Sequence, residues 1–202
     1  MVIGLTGKSC SGKNYVGDIL ASKGLEVWDT DKMCHFGLND NIRAIVSEFG
    51  EDVVVSTGGR PEVSRSALGK IVFADPQRRK ALEDILYPWL RRRIVIWMNR
   101  KPEGILVLNG ALLYRAGFCE FCDAVIYVDA SYEVRRNRAM ARDGLDEQAF
   151  LMREDSQRDV DFRDVSYPVP LYVITNNDSN LDEVNRQLFD ICDKLGIVYP
   201  KA

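Results

Sequence analysis

Five short apolar runs, each bounded by turn residues, recur along the chain: Val2–Thr6, Leu25–Trp28, Ile105–Leu108, Ala124–Val128 and Leu171–Thr175. The segments between them carry apolar residues at three- and four-residue spacing. Buried strands alternating with amphipathic helices predict an α/β fold, a five-stranded parallel sheet flanked by helices. The second and third runs lie too far apart for a simple crossover. Residues 31–103 carry helical spacing instead, at Ile42, Ile45, Val46 and Phe49, at Leu68, Ile71, Val72 and Phe73, and, after Pro76, from Leu82 to Trp97. This stretch is expected to be a mostly helical, substrate-binding insertion in a single domain spanning 1–202. Thr57-Gly58-Gly59-Arg60-Pro61 is a turn within it. Residues 131–165 hold Arg135, Arg136, Arg138, Arg142, Arg153, Arg158 and Arg163 and are expected to form a charged helical lid.

The first run leads into Gly7-Lys8-Ser9-Cys10-Ser11-Gly12-Lys13, which has the G-x-x-x-x-G-K spacing of a phosphate-binding loop. A loop curled at a helix N-terminus aims several backbone N–H groups at one point, where a polyphosphate can sit. Cys10, Ser11, Gly12, Lys13, Asn14 and Tyr15 are therefore the candidate ATP contacts. Asn14 stands where a Ser or Thr hydroxyl ordinarily ligates Mg²⁺. Its amide oxygen is a competent but more distant ligand, so weak metal binding is expected there. Cys10, set among convergent N–H groups and beside Lys8 and Lys13, is expected to react readily with alkylating reagents.

The second run ends at Asp29-Thr30-Asp31. Carboxylates at the C-terminal end of a strand in an open parallel sheet fall at the ligand crevice. There one of them can orient or deprotonate a hydroxyl that attacks a phosphate, while its neighbour caps the following helix.

Composition narrows the choices. The chain has 202 residues and a net charge of −3, which argues against a general nucleic-acid binder. No apolar run reaches the roughly 18 residues of a membrane span. Met1 leads straight into the first run, so no leader is expected. Five cysteines without a disulfide framework fit a reducing cytoplasm. Cys119 and Cys122 have C-x-x-C spacing but no second pair, and the sole histidine is His35, so packing rather than zinc is expected.

Taken in order, these stretches resemble dephospho-CoA kinases nearly end to end. Gly4-Leu5-Thr6-Gly7 through Gly12-Lys13 looks like that family's opening, and Asp29-Thr30-Asp31-x-x-x-His35 is similar to its D-A-D-x-x-x-H element. Arg65-x-x-Leu68-x-x-Ile71-Val72-Phe73 and Leu82-Glu83-x-x-Leu86-Tyr87-Pro88 resemble its next two motifs. Leu112-Leu113 matches part of P-L-L-x-E, Arg138-x-x-x-Arg142-Asp143-Gly144 resembles the lid, and Val173-Ile174-Thr175-Asn176-Asn177 the closing strand. Five features depart from the family pattern: Lys8-Ser9-Cys10 within the loop, Asn14, Tyr87, Ala111 and Arg115.

The resemblance implies transfer of the ATP γ-phosphate, with Mg²⁺, to the ribose 3′-hydroxyl of dephospho-coenzyme A. It implies Lys13 on the phosphates, Asp31 as base, Arg138 and Arg142 offsetting phosphate charge, and Asn176 and Asn177 near the adenine. Asp29, Asp31, His35 and Arg65 would meet the acceptor. The residues by themselves leave the acceptor open. Another small kinase of nucleosides, nucleotides or sugars, or a catalytically weak nucleotide-binding paralogue, would share the loop, carboxylate and lid.

Overall fold

The structure, a computed structural model, describes residues 1–164, 166–177 and 180–198. It divides into two compact units, Met1–Asp29 with Glu103–Ala202, and Thr30–Pro102.

The first unit is built on five parallel strands among the described residues. They are β1 (Val2–Thr6), β2 (Glu26–Asp29), β5 (Leu106–Asn109), β6 (Ala124–Asp129) and β7 (Leu171–Thr175), in the spatial order β2-β5-β1-β6-β7. β1 pairs with β5 on one side (Leu5↔Asn109) and with β6 on the other (Thr6↔Tyr127). All residues of β1 and β5 are buried, as strands covered on both faces require. One face is covered through Val16 and Leu20 of α1 (Lys13–Ser22) and Val184, Leu188 and Ile191 of α8 (Leu181–Lys194). These pack with Ile3, Leu5, Val107, Ile126, Val128 and Ile174 in a single apolar cluster. The charged region after β6 forms α6 (Tyr132–Asp143) and α7 (Glu147–Ser156). The Oγ of Ser131 caps the Val134 N–H, and Asp146 Oδ1 caps the Ala149 N–H.

The second unit is not purely helical. Besides α2 (Thr30–Asp40), α3 (Ile42–Phe49), α4 (Arg65–Ala74) and α5 (Pro76–Arg100), it contains an antiparallel hairpin, β3 (Val54–Thr57) and β4 (Arg60–Val63). The Gly58-Gly59 pair closes the hairpin with both residues at positive φ, 58° and 78°. Its strands are short and mostly exposed, which is why apolar periodicity alone reads past them. Leu38, Ile45, Phe49, Val53, Val63, Leu68 and Leu86 form this unit's core. α5 begins with Asp75 capping Gln77 and Arg78 and Pro76 at its first position, and it continues through Pro88 to Arg100. No described helix is long and apolar enough to cross a membrane.

Leu5, fully buried in the central strand, is expected to lose about 2–5 kcal/mol of stability as Leu5→Ala. Phe73 is 87% exposed on α4, and Phe73→Ser should stay within about 0.5 kcal/mol of the wild type. Urea denaturation of the two variants measures both, and equal losses would misplace the core.

Candidate active site

The loop between β1 and α1 takes a conformation that few residues tolerate. Gly7 has φ 147° and Gly12 φ 104°, and a side chain on either would collide. A Cβ at Gly7 would lie 2.3 Å from the Val128 carbonyl oxygen, and one at Gly12 2.2 Å from Asn176 Nδ2. Cys10, at φ 62°, is the one non-glycine residue with positive φ among those described. The Ser11 N–H donates to Lys8 O at 3.2 Å and closes the turn. Gly12 caps α1 without a side chain, so the N–H groups at the start of that helix keep their anion-binding potential. Ser11 Oγ is buried and has no hydrogen-bond partner among the described residues.

The remaining strand ends gather around this loop. Asn176, following β7, is buried. Its N–H donates to Asp129 O at 2.8 Å, and its side-chain amide donates to Ser11 O at 2.8 Å. Arg138 of α6 reaches the carbonyls of Cys10 and Ser11, both at 3.4 Å, and the backbone and side-chain oxygens of Asn176, both at 3.1 Å. Arg142, one turn on, approaches Cys10 Sγ at 3.6 Å and pairs with Asp143 at 2.7 Å. Burial lowers the Arg138 pKa, whereas the Asp143 hydrogen bond raises that of Arg142. The two arginines at i and i+4 thus meet the loop from one helix face. Asn177 Oδ1 accepts from the Ser131 N–H at 2.7 Å and so fixes the start of α6. Beside these asparagines a cavity of about 360 Å³ is lined by Thr175, Asn176, Asn177, Asn180, Glu183 and Gln187.

The three residues that make this loop unusual all face α6, α7 and the turn after them. Lys8 Nζ lies 3.4 Å from Asp161 Oδ2 and 3.9 Å from Glu154 Oε2. The Ser9 N–H donates to Gln157 Oε1 at 2.8 Å, and Ser9 Oγ accepts from Arg153 at 3.1 Å. Cys10 packs against Ala139 and Phe150 and is 7% exposed. The sequence reading expected a reactive Cys10 thiol; packing beneath α6 and α7 buries it instead. Arg135, which the sequence places in the charged lid region, is buried, bonded to Ala130 O and paired bidentately with Glu154. Arg115 donates to Ser156 O at 2.7 Å, at the carbonyl end of α7. Gln157 and Glu154 carry no signal in their spacing, and Arg153 stands out only as one of the lid-region arginines; the packing of α7 against the loop is what brings all three to Lys8 and Ser9.

Asn14 is exposed, and its Oδ1 accepts from Asn109 Nδ2 at 3.2 Å. Asn109 ends β5, the strand beside β1, and was not anticipated. A phosphate-loop metal site uses a hydroxyl after the lysine and a strand-end aspartate. Here both positions carry neutral amides bonded to each other, and no three described His, Cys, Asp or Glu residues are grouped to hold an ion. The residues present do not fit a magnesium ion held by side chains.

Within the second unit, Asp31 lies in the first turn of α2 and is exposed. His35 follows one turn later, and Arg65 Nη1 at the start of α4 lies 3.4 Å from His35 Nδ1. Asp31 and Glu83 also act on Cys34, whose thiol is pushed up to about 12, chiefly by burial. Asp29, the last residue of β2, belongs to the first unit and pairs in register with Asn109. Cys119 and Cys122 are buried and free, and burial raises both thiol pKa values.

The sequence profile of the dephospho-CoA kinases matches residues 1–183. A dephospho-CoA kinase from Syntrophotalea carbinolica is 33% identical over 201 residues, covering 96% of this chain and 92% of that one. One from Symbiobacterium thermophilum is 37% identical over 79% of this chain and 68% of its own. Among solved structures, a Thermus thermophilus protein superposes with a TM-score of 0.78 at 30% identity, covering 96% of this chain and 97% of that one. A dephospho-CoA kinase from Campylobacter jejuni, with TM-score 0.67, 24% identity and 96% of both chains covered, shares the fold.

Two carboxylates in the ion pairs around the loop, Asp143 and Asp161, are held below the usual carboxylate range. The Arg142 hydrogen bond, opposed by burial and aided by Arg153, lowers Asp143 to about 2. Burial pushes Asp161 up, but the Arg163 hydrogen bonds, together with the charges of Arg163 and Lys8, outweigh it and bring Asp161 to about 2. A depressed folded-state pKa contributes stability above the unfolded value of about 3.9 and loses it as pH falls. The stability gap between wild type and Asp161→Asn should therefore be full at about pH 5 and close between about pH 4 and pH 2. Denaturant titrations across that range test it, and a gap that does not change with pH would refute the role of these ion pairs.

Proposed function

The chain belongs to the dephospho-CoA kinase family, and we propose on that footing that it transfers the γ-phosphate of ATP to the ribose 3′-hydroxyl of dephospho-coenzyme A. This is the last step of coenzyme A biosynthesis. The observation that carries the reading is the Arg138 guanidinium on the carbonyls of a glycine-bounded loop whose helix N-terminus is left open.

In this reading the loop N–H groups from Cys10 to Asn14 and the Lys13 ammonium hold the β- and γ-phosphates, with Tyr15 a further ATP contact. Arg138 and Arg142 swing from the loop carbonyls and Asp143 onto phosphate oxygens as α6 and α7 act as a lid, offsetting charge on the transferring group. The cavity beside Asn176 and Asn177 takes the adenine, its amide and carboxylate lining matching the ring's donors and acceptors. Asp31 accepts the 3′-hydroxyl proton as that oxygen bonds to the γ-phosphorus, and the bond to the bridging oxygen breaks to release ADP. His35, Arg65 and Asp29 contact the acceptor, the guanidinium suiting its phosphates. Residues 31–103 would thus serve as the acceptor-binding insertion. Mg²⁺ is proposed as the companion of ATP, where it neutralises phosphate charge when bound. The setting proposed is the cytoplasm.

The assay is ADP formation from ATP, Mg²⁺ and dephospho-coenzyme A. Asp31→Asn keeps shape and helix-capping ability but not the negative charge. It should lower kcat on the order of 10²-fold or more while ATP still binds. Arg138→Ala should lower kcat on the order of 10²-fold with the far-UV spectrum retained. Wild-type rates in either variant would remove that residue from the mechanism, and a wild type that binds ATP without turnover would be a nucleotide-binding paralogue instead.

A further inference from the structure

We propose that Asn14 and Asn109 work as one unit, a neutral amide pair in place of a metal-holding hydroxyl and carboxylate, so that this protein binds ATP almost independently of Mg²⁺. The inference rests on the ATP reading above and concerns how the same site handles charge.

Three observations converge on it. Asn14 directly follows Lys13 on α1, the position from which a loop hydroxyl meets the ion. Asn109 ends the strand alongside β1, in register with Leu5, and its amide is hydrogen-bonded to Asn14 at 3.2 Å. It therefore occupies the place from which a strand-end carboxylate would reach the same ion. Asn109 is also held firmly there. It is 5% exposed, and α1 passes so close that a Cβ on Gly17 would lie 3.3 Å from Asn109 Nδ2.

The chemistry of the pair runs against a protein-held cation. Mg²⁺ demands oxygen ligands in near-ideal octahedral geometry and gives up water reluctantly. A carboxylate at the strand end would bring a full negative charge, whereas Asn109 turns amide hydrogens toward Asn14. The flanking strand ends do not replace that charge at the same point. Asp129 on β6 lies 3.5 Å from the Arg163 guanidinium, and Asp29 sits one strand further out, beside Asn109 on β2. The ion, when it arrives with ATP, is left to phosphate oxygens and water, and the affinity for the nucleotide comes from the N–H groups and lysine of the loop.

The hydrogen bond also makes the two positions interdependent. Asn14→Ser alone supplies a hydroxyl but no charge. Asn109→Asp alone supplies charge, but the carboxylate captures the Asn14 amide hydrogens. Only the two together offer the ion a free oxygen set, so their effects should be strongly non-additive.

Calorimetric titration with a non-hydrolysable ATP analogue, in Mg²⁺ and in EDTA, tests this. The wild-type Kd should differ by less than about tenfold between the two buffers. In the Asn14→Ser/Asn109→Asp double variant, Mg²⁺ should tighten binding on the order of 10–100-fold, the scale of a gained or lost metal-shell group. Each single variant should give much less than half of that gain on a logarithmic scale. A wild-type Kd tightened more than tenfold by Mg²⁺ overturns the inference alone, as does a folded double variant with no Mg²⁺ enhancement or with strictly additive singles. No analogue binding in either buffer overturns the kinase reading and this inference with it. Should the double variant fail to fold, the wild-type ratio still decides.

Discussion

The side-chain amide of Asn176 holds the Ser11 carbonyl, and much of the site's geometry depends on that bond. Its own N–H is anchored on Asp129 at the end of β6, so the hydrogen bond carries the position of the sheet into the loop. The loop cannot relax away from it, because Gly12 passes too close to that same amide for any side chain to fit. Arg138 then uses the oxygens of Asn176 and the loop carbonyls as its resting place. A buried amide bonded on every side is rigid, since leaving any one of its groups unpaired costs more than a typical hydrogen bond gains. Rigidity here suits the proposed phosphate site, because N–H groups already held in place would need no reorganisation on binding.

Against this fixed loop, α6 and α7 are held by contacts of a different kind. Lys8, Ser9 and Cys10 each engage this segment, through an ion-pair cluster with Glu154 and Asp161, two hydrogen bonds and a small apolar contact. Ion pairs with partly exposed members are individually weak and exchange readily for other charges. The residues that depart from a glycine-rich loop thus supply the side chains by which the loop grips α7, which glycines could not do.

The sequence itself determined the parallel sheet and its covering helices, because the five apolar runs and the helical spacing between them are local signals that burial on both faces imposes. β1 and β7 have the bounds that their apolar runs predict, and the other three strands differ by one residue at one or both ends. The phosphate loop was legible for the same reason: Gly7, Gly12 and Lys13 lie within seven consecutive residues, and their backbone demands are local. Tertiary structure alone decided the rest. The hydrogen bond between Asn14 and Asn109 joins residues 95 positions apart, and parallel pairing of β1 with β5 brings them together. Arg135 reads only as one charge of the lid region, and it is buried because Glu154 arrives from the next helix to compensate it. The β3–β4 hairpin was missed because its strands are short and half-exposed and carry no apolar alternation to read. Local periodicity and turn chemistry are written along the chain, whereas the partner of a polar side chain depends on which strand or helix the fold sets beside it.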